Sequence, residues 1–410
     1  MKISYAENRL TRLSSDLLRK NFPKFYRNIR DLNVNFKFSK NYFRKQLLII
    51  NELSTSIKNK RYLDWKKDQY YKLKGTAPDF AFIEINNSCN INCVMCDTKS
   101  STRPKKLMKL DLFEQSVKKL KSDNIDTVGL HTIGDPLANP RLPEIFKILR
   151  KYKMKTSIST NGLLLDKHLD TILSNFDICP DIRFSIDGAT KKTYEKIRLG
   201  ANWDILIQSL ELAKKELAPK GFRISTNMTM TKENIGELGE FIVFFRNYFK
   251  DPHYNIQFNF MNSLSPSNEY FINNNVIPEH THSNKFCKYV AHAIPYVLVD
   301  GDISMCCRDY DGSLIMDKLK ESSILDSFNN KKFTDLQKFH EGQEISSTNY
   351  KLCSDCYEVD WRVCEIWRKS VEYILFHKQN ENSEFYQETF SKLLNTLDKK
   401  DLHLDMNKFL

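Results

Sequence analysis

The stretch Cys89-Asn90-Ile91-Asn92-Cys93-Val94-Met95-Cys96 places three thiols at x3 and x2 spacing in one short loop. A loop of that length can wrap three irons of a cubane [4Fe–4S] cluster, and no fourth cysteine lies within its reach. Ordinary cluster carriers supply four thiolates. A missing fourth ligand leaves one iron open to another molecule, which is a catalytic feature. Zinc also takes a short Cys-x2-Cys spacing, so a structural zinc loop is the other reading of these residues.

Outward from the loop, short apolar runs alternate with amphipathic stretches. Strand-like runs fall at 80–86, 127–132, 155–160, 181–186, 223–230 and 255–260. Helix-like stretches fall at 111–121, 142–152, 166–175, 202–217 and 235–248. Such βα alternation implies parallel strands joined by crossover helices. Six units predict an α/β fold, a partial (β/α)6 barrel open on one side. Ligands in parallel βα architectures gather at the C-terminal ends of the strands. The cysteine loop follows the first strand, so it is expected at that end.

Composition sets the outer bounds. The 410 residues are 41% hydrophobic and 28% charged, as in a soluble globular protein. No apolar stretch of signal-peptide type opens the sequence and no run of 18 apolar residues occurs, so a cytoplasmic location is expected. Ten cysteines without an export signal point to metal or catalysis and away from disulfides. The net charge is +12. Residues 1–79 hold 19 Lys/Arg and 7 Asp/Glu, and the remainder balances at 44 of each. The formal excess therefore lies in the N-terminal fifth, which suggests an anionic partner there: a membrane surface, a nucleic acid or a charged substrate. Leu10, Leu13, Leu17 and Leu18, then Phe43, Leu47, Ile50, Leu53 and Ile57, make two apolar stripes. They predict a helical collar with a solvated basic outside, ending before Gly75 and Pro78.

Cys-x3-Cys-x2-Cys is the motif of the radical S-adenosylmethionine (SAM) enzymes, and the chain resembles that family beyond the motif. After the second strand, Thr132-Ile133-Gly134-Asp135-Pro136 is similar to the Gly-Gly-Glu-Pro segment that lines the SAM methionine amino group. Ile133 and Asp135 replace its first Gly and its Glu. After the third strand comes Ser159-Thr160-Asn161-Gly162, and after the fourth Ser185-Ile186-Asp187-Gly188. Both are similar to segments touching the SAM ribose or carboxylate. The resemblance implies Cys89, Cys93 and Cys96 as cluster ligands, and Gly134, Asp135, Ser159, Asn161 and Ser185 as SAM contacts. It implies that SAM chelates the open iron and yields a 5′-deoxyadenosyl radical on reduction, with a flavodoxin- or ferredoxin-type electron donor. Asp187 reads as a turn or N-cap residue of the following helix.

Downstream lie Cys287, then Gly301-Asp302-Ile303-Ser304-Met305-Cys306-Cys307, then Cys353-Ser354-Asp355-Cys356. Gly-x4-Cys with a distant Cys-x2-Cys resembles the SPASM/twitch extensions of the same enzymes. Cys356 is followed only by Cys364, short of the seven-cysteine SPASM pattern. The resemblance implies the twitch form, one auxiliary [4Fe–4S] cluster held by Cys287, Cys306, Cys353 and Cys356, with Cys307 an alternative to Cys306. A zinc ribbon stays open from the four cysteines alone. Cys179, Cys307 and Cys364 read as buried small hydrophobes. His131 reads as structural and Arg308-Asp309 as a surface or structural pair. The implied organisation is a basic helical extension (1–78), the partial barrel (79–262), an auxiliary-cluster domain (285–365) and C-terminal helices (366–410).

The expected activity is hydrogen abstraction from a small or carrier-linked, sugar-like anionic substrate, the second cluster taking an electron to complete a dehydrogenation. Redox-neutral epimerisation or deoxygenation and peptide maturation are the enzymatic alternatives. A tRNA-modifying or nucleic-acid-binding protein and a structural zinc protein are the alternatives of other classes.

Overall fold

The computed structural model describes residues 62–249, 255–261, 269–274, 285–319, 323–346, 350–354, 356, 397–398 and 403–404. The apolar stripes before residue 62, Cys364 and almost all of the expected C-terminal helices lie outside them.

The described elements begin with α1 (Tyr62–Leu73) and β1 (Phe80–Ile83). The cysteine loop contributes a two-residue strand, β2 (Asn92–Cys93). Then follow α2 (Leu110–Ser122), β3 (Thr127–Gly129), α3 (Leu142–Lys151), β4 (Lys155–Thr160), α4 (Leu165–Ser174) and β5 (Asp181–Ser185). After these come α5 (Lys191–Ile197), β6 (Arg198–Leu199), α6 (Trp203–Leu212), β7 (Arg223–Met230), α7 (Leu238–Phe249) and β8 (Asn255–Phe260). Six strands of this series are parallel neighbours in the order β1-β3-β4-β5-β7-β8. They correspond to the six strand-like runs of the sequence; β4, β7 and β8 match them in full, and β1, β3 and β5 end earlier, where the backbone turns into loops.

Alternation within the strands decides which face holds the core. Thr156, Ile158 and Thr160 of β4, Ile182 and Phe184 of β5, and Ile256, Phe258 and Phe260 of β8 are buried. Their neighbours on the other face are Ser157 and Ser159, Arg183 and Ser185, Gln257 and Asn259, all only partly buried. β7 repeats this, with Ile224, Thr226, Met228 and Met230 buried and Ser225, Asn227 and Thr229 opposite. Parallel strands covered on both faces read as continuous apolar runs. Here one face packs against the crossover helices, and the other is a polar concave surface.

The sheet does not stop at β1. The two-residue β9 (Tyr296–Val297) pairs with β1 in parallel, and β10 (Asp302–Ser304) and β11 (Ile315–Lys318) continue it antiparallel. Nine strands thus form one sheet, with β11 and β8 at its ends. The segment expected as a separate small domain therefore begins as an extension of the barrel sheet. At the junction Phe82 stacks on Tyr296, ring centroids 4.8 Å apart and 2° from parallel. Gly129 makes room for this stack, since a Cβ there would lie 2.5 Å from the Phe82 ring. Helix α1 packs against this same part of the chain: Tyr70 contacts Phe286 edge-on and donates to Glu341 at 3.1 Å.

Glu84, the residue after β1, is fully buried. Its carboxylate accepts from Arg103 Nη2 at 2.5 Å and Nη1 at 3.2 Å, from Thr132 Oγ1 at 2.6 Å and from the Val299 amide at 2.9 Å. Removing one member of a buried ion pair costs about 3–5 kcal/mol. Glu84→Ala is expected to lower unfolding free energy by about that amount in anaerobic denaturant titrations. The double variant with Arg103→Met is expected to recover part of it, and simple additivity would show that the two residues do not act as a pair.

Candidate active site

The cysteine loop is clamped from four sides. At its start, Asn86 Nδ2 donates to the carbonyls of Ser88 (2.8 Å) and Asp135 (3.0 Å), and Asn87 exchanges bonds with Pro104 and Lys106. The Asp135 amide donates to the Ser88 carbonyl at 3.1 Å. That approach requires Gly134, whose φ is +82° and whose Cβ would lie 2.6 Å from Ser88 O. On a third side, Asn161 Nδ2 donates to Asn90 Oδ1 at 2.8 Å and lies 3.7 Å from Cys89 Sγ. On the fourth, β2 pairs antiparallel with β6, so Cys93 sits opposite Arg198. The Val94 amide donates to Ile197 O at 2.9 Å, and Arg198 Nη1 lies 3.7 Å from Cys93 Sγ.

The chemistry of this pocket is governed by desolvation. Burial pushes the Cys93 thiol up to about 12, against the pull of Arg198, and raises Cys89 as well. Arg198 is itself buried and pairs with Asp187 at 2.7 Å. Burial works against its charge, but Asp187 and Cys93 outweigh it and hold the guanidinium protonated. Ligating sulfurs must be thiolates, so a cation bound here displaces protons and offsets the desolvation. A fixed guanidinium beside Cys93 serves the same end. Arg198 Nε, Asn86 Oδ1 and Tyr194 Oη are buried without a hydrogen-bond partner among the described residues. Three thiols and three orphaned polar atoms around one loop fit a cluster together with a polar co-ligand.

Of the residues expected to touch SAM, the structure gathers Gly134, Asp135 and Asn161 at this loop. Ser159 and Ser185 stand on the concave face of β4 and β5. The Asp135 carboxylate, however, is spent inside the fold: it accepts from Leu137 N (2.9 Å), Thr160 Oγ1 (2.8 Å) and Asn161 N (2.6 Å). It orders the loop that presents Gly134 and Asn161. Asp187 does not cap the next helix, because Thr190 does so by accepting from Thr193 N. Asp187 accepts from the Thr229 amide at 2.7 Å and holds Arg198. Sequence reading missed Arg198 and the short helix α5 that delivers it. Only the Thr190 cap signals that helix, since seven residues with two buried apolar side chains carry little periodicity.

The thiols of the second group act on one another. Cys356 acts electrostatically on Cys287, Cys306 and Cys353, raising all three beyond what burial does. Cys307 turns toward Tyr296 and Lys288; its bond with Cys306 lowers it to about 6 against burial. Arg308 is no surface residue: its amide lies 3.4 Å from Cys306 Sγ and its Nη1 3.7 Å from Cys356 Sγ. Nor does it pair with Asp309, whose carboxylate accepts from Ser304 Oγ, Ser313 N and Leu314 N and knots the turn that carries Cys306 and Cys307. One buried thiol, Cys353, and three partly buried ones with an adjacent guanidinium suit an anionic thiolate-bound cluster. Cys179 is buried in the core, as expected. Among the described residues no helix is long and apolar enough to cross a membrane.

Gly134→Ala is expected to displace Ser88 and the loop behind it. Iron and sulfide content after anaerobic reconstitution should fall from two clusters toward one, with the centre at Cys287, Cys306, Cys353 and Cys356 retained. Full iron content would show that the loop tolerates the shift.

Two family models match the chain: the radical SAM superfamily over residues 83–245 and the SPASM iron–sulfur cluster-binding domain over 287–357. Among curated proteins it is similar to GTP 3′,8-cyclase of Synechocystis sp., 26% identical over 154 residues, 37% of this chain and 45% of that protein. It is also similar to mycofactocin maturase MftC of Mycobacterium ulcerans, 25% identical over 166 residues, 40% and 43% of the two chains. The match spans less than half the length of these relatives. The solved structure of native anSMEcpe with bound AdoMet covers 78% of this chain and 100% of its own, with a TM-score of 0.52 and 15% identity, a likeness of fold. The first model brings a [4Fe–4S] cluster and SAM, the second auxiliary iron–sulfur binding. The chain belongs to the radical SAM superfamily and carries a C-terminal SPASM-type iron–sulfur domain.

Proposed function

We propose that this enzyme dehydrogenates a hydroxyl-bearing, sugar-like substrate on the concave face of the sheet. In that reaction the substrate's carbinol carbon loses a hydrogen atom, its hydroxyl loses a proton, and the remaining electron passes to the auxiliary centre. Bound at the loop of Cys89, Cys93 and Cys96, the cluster and SAM supply the 5′-deoxyadenosyl radical. Gly134, Asn161, Ser159 and Ser185 are the proposed contacts for SAM. Asp135 and Asp187 act as positioning residues, the first through Asn161 and the second through Arg198. Cys287, Cys306, Cys353 and Cys356 are the proposed auxiliary ligands. Cys306 is preferred to Cys307 because it completes the Gly-x4-Cys element that begins at Gly301.

The observation that carries this reading is the polar concave face beside two cysteine centres on one sheet. Ser159, Ser185, Asn227, Gln257 and Asn259 offer neutral donors and acceptors in adjacent strands, and Asn259 already donates to Asn227 at 2.7 Å. Such a surface suits a ligand rich in hydroxyls more than an apolar one. β9 lies directly beside β1, which joins the segment bearing the second centre to the strand that leads into the first. A second reading, peptide maturation, is favoured by the similarity to a protein named as a maturase.

The deciding assay offers the anaerobically reconstituted enzyme deuterated sugars, sugar phosphates and peptides, and reads deuterium in 5′-deoxyadenosine. Label from a carbinol position, with a carbonyl product, is expected; label only from peptides would replace this reading with maturation. Joint replacement of Cys89, Cys93 and Cys96 by Ala is expected to reduce SAM cleavage to background. Replacing Cys306 and Cys353 by Ala is expected to stop product formation while SAM cleavage continues. Continued formation of oxidised product would exclude the second centre as the electron acceptor.

A further inference from the structure

On the concave face stands Arg183, a cation that makes no hydrogen bond or ion pair among the described residues. Arg183 lies between Asp181 and Ser185 in the alternation of β5 that points away from the helices. By register it is level with Ser159 on β4 and with Ser225 on β7. Gly129 is level with Ser157, so His131, two residues further on, arrives in the same row. Arg183 Nε is buried with no hydrogen-bond partner among the described residues, and His131 Nδ1 is buried in the same condition. The carboxylate nearest along the strand, Asp181, is held by Arg223 through Nε and Nη2.

The electrostatics agree with this placement. Burial lowers the Arg183 guanidinium, with Asp181 only partly opposing it, yet an arginine stays charged at neutral pH. Burial lowers His131 to about 4, and the charge of Arg183 adds to that, so the imidazole is neutral. Two groups with a buried nitrogen lacking a hydrogen-bond partner among the described residues thus share one row: a fixed cation and a neutral ring able to donate, the ring set edge-on against Phe82. An arginine fork matches the paired oxygens of a carboxylate or phosphate.

We propose that Arg183, with His131 beside it, binds an anionic oxygen group of the substrate, a carboxylate or a phosphate, in the interior of the barrel. This rests on the reading of the concave face as the substrate chamber and adds the class of ligand. SAM is not the expected partner. Of the residues proposed for it, Gly134 and Asn161 gather at the cysteine loop, and Ser185 lies about 6–7 Å from Arg183 along β5, toward that end; Ser159, level with Arg183, is where the two sites would meet.

The test uses the reconstituted holoenzyme with SAM present and no turnover, so it is independent of which reaction is catalysed. Inorganic phosphate and acetate are titrated calorimetrically at constant ionic strength against chloride. Saturable binding of at least one probe is expected; phosphate alone marks a phosphoryl group and acetate alone a carboxylate. Arg183→Met is expected to weaken it at least tenfold and Arg183→Lys by less, while SAM affinity stays within twofold. Because Arg183→Met removes a partly buried charge with no ion pair among the described residues, its thermal midpoint should equal or exceed that of the wild type. His131→Asn, which keeps the charge, serves as a second variant and should weaken the probe severalfold. No saturable binding to the wild type, equal binding to Arg183→Met, or loss of SAM affinity in its place would each overturn the proposal.

Discussion

One buried carboxylate organises the rim on which everything else stands. Glu84 has no solvent to stabilise its charge, so its oxygens must be met by donors from within the chain. Those donors come from the loop after the cysteines (Arg103), the end of β3 (Thr132) and the hairpin between β9 and β10 (Val299). Satisfying one residue therefore fixes three distant segments against the end of β1. The same device recurs at two further strand ends. Asp135, after β3, takes amides and a hydroxyl from residues following β3 and β4. Asp187, after β5, takes the Thr229 amide and Arg198. Apolar packing cannot specify loops that must stay polar for ligands; buried acids with directional partners can.

This construction separates stability from function across the thickness of the sheet. The helix-facing sides of β4, β5, β7 and β8 carry the apolar and threonine side chains that close the core. The opposite sides carry serines, asparagines, a glutamine and Arg183, which contribute little packing. Parallel sheets normally bury both faces. A polar concave face kept at that expense is where binding chemistry is found, and Arg183 is a charged member of it with no ion pair among the described residues.

Much of this was legible in the amino-acid order. Six strand–helix alternations are a local signal, because periods of 2 and 3.6 are written in neighbouring residues. Three cysteines within eight residues are equally local. The seven-residue α5 was not legible, and neither was the two-residue ladder of β2 with β6, because neither is long enough to show a period. The pairing of β9 with β1 joins residues more than two hundred positions apart. Reading Arg308-Asp309 as a surface or structural pair followed from sequence adjacency, yet adjacent residues point apart. Arg308 meets thiols, and Asp309 meets the turn around it.

The sequence by itself determined the class of chemistry: cysteine spacing limits which metal centre a loop can wrap, and the order of loops after successive strands limits where it lies. Tertiary structure alone decided which polar residues are spent and which remain available. Asp135 looks available in the sequence and Asp187 looks like a helix cap, and both are consumed by internal hydrogen bonds elsewhere. Arg198 and Arg183 are two arginines on adjoining stretches, yet one is paired beside Cys93 and the other faces the chamber with its Nε unpartnered among the described residues. Whether a buried polar group has a partner depends on segments brought together from across the chain, and no local pattern encodes that.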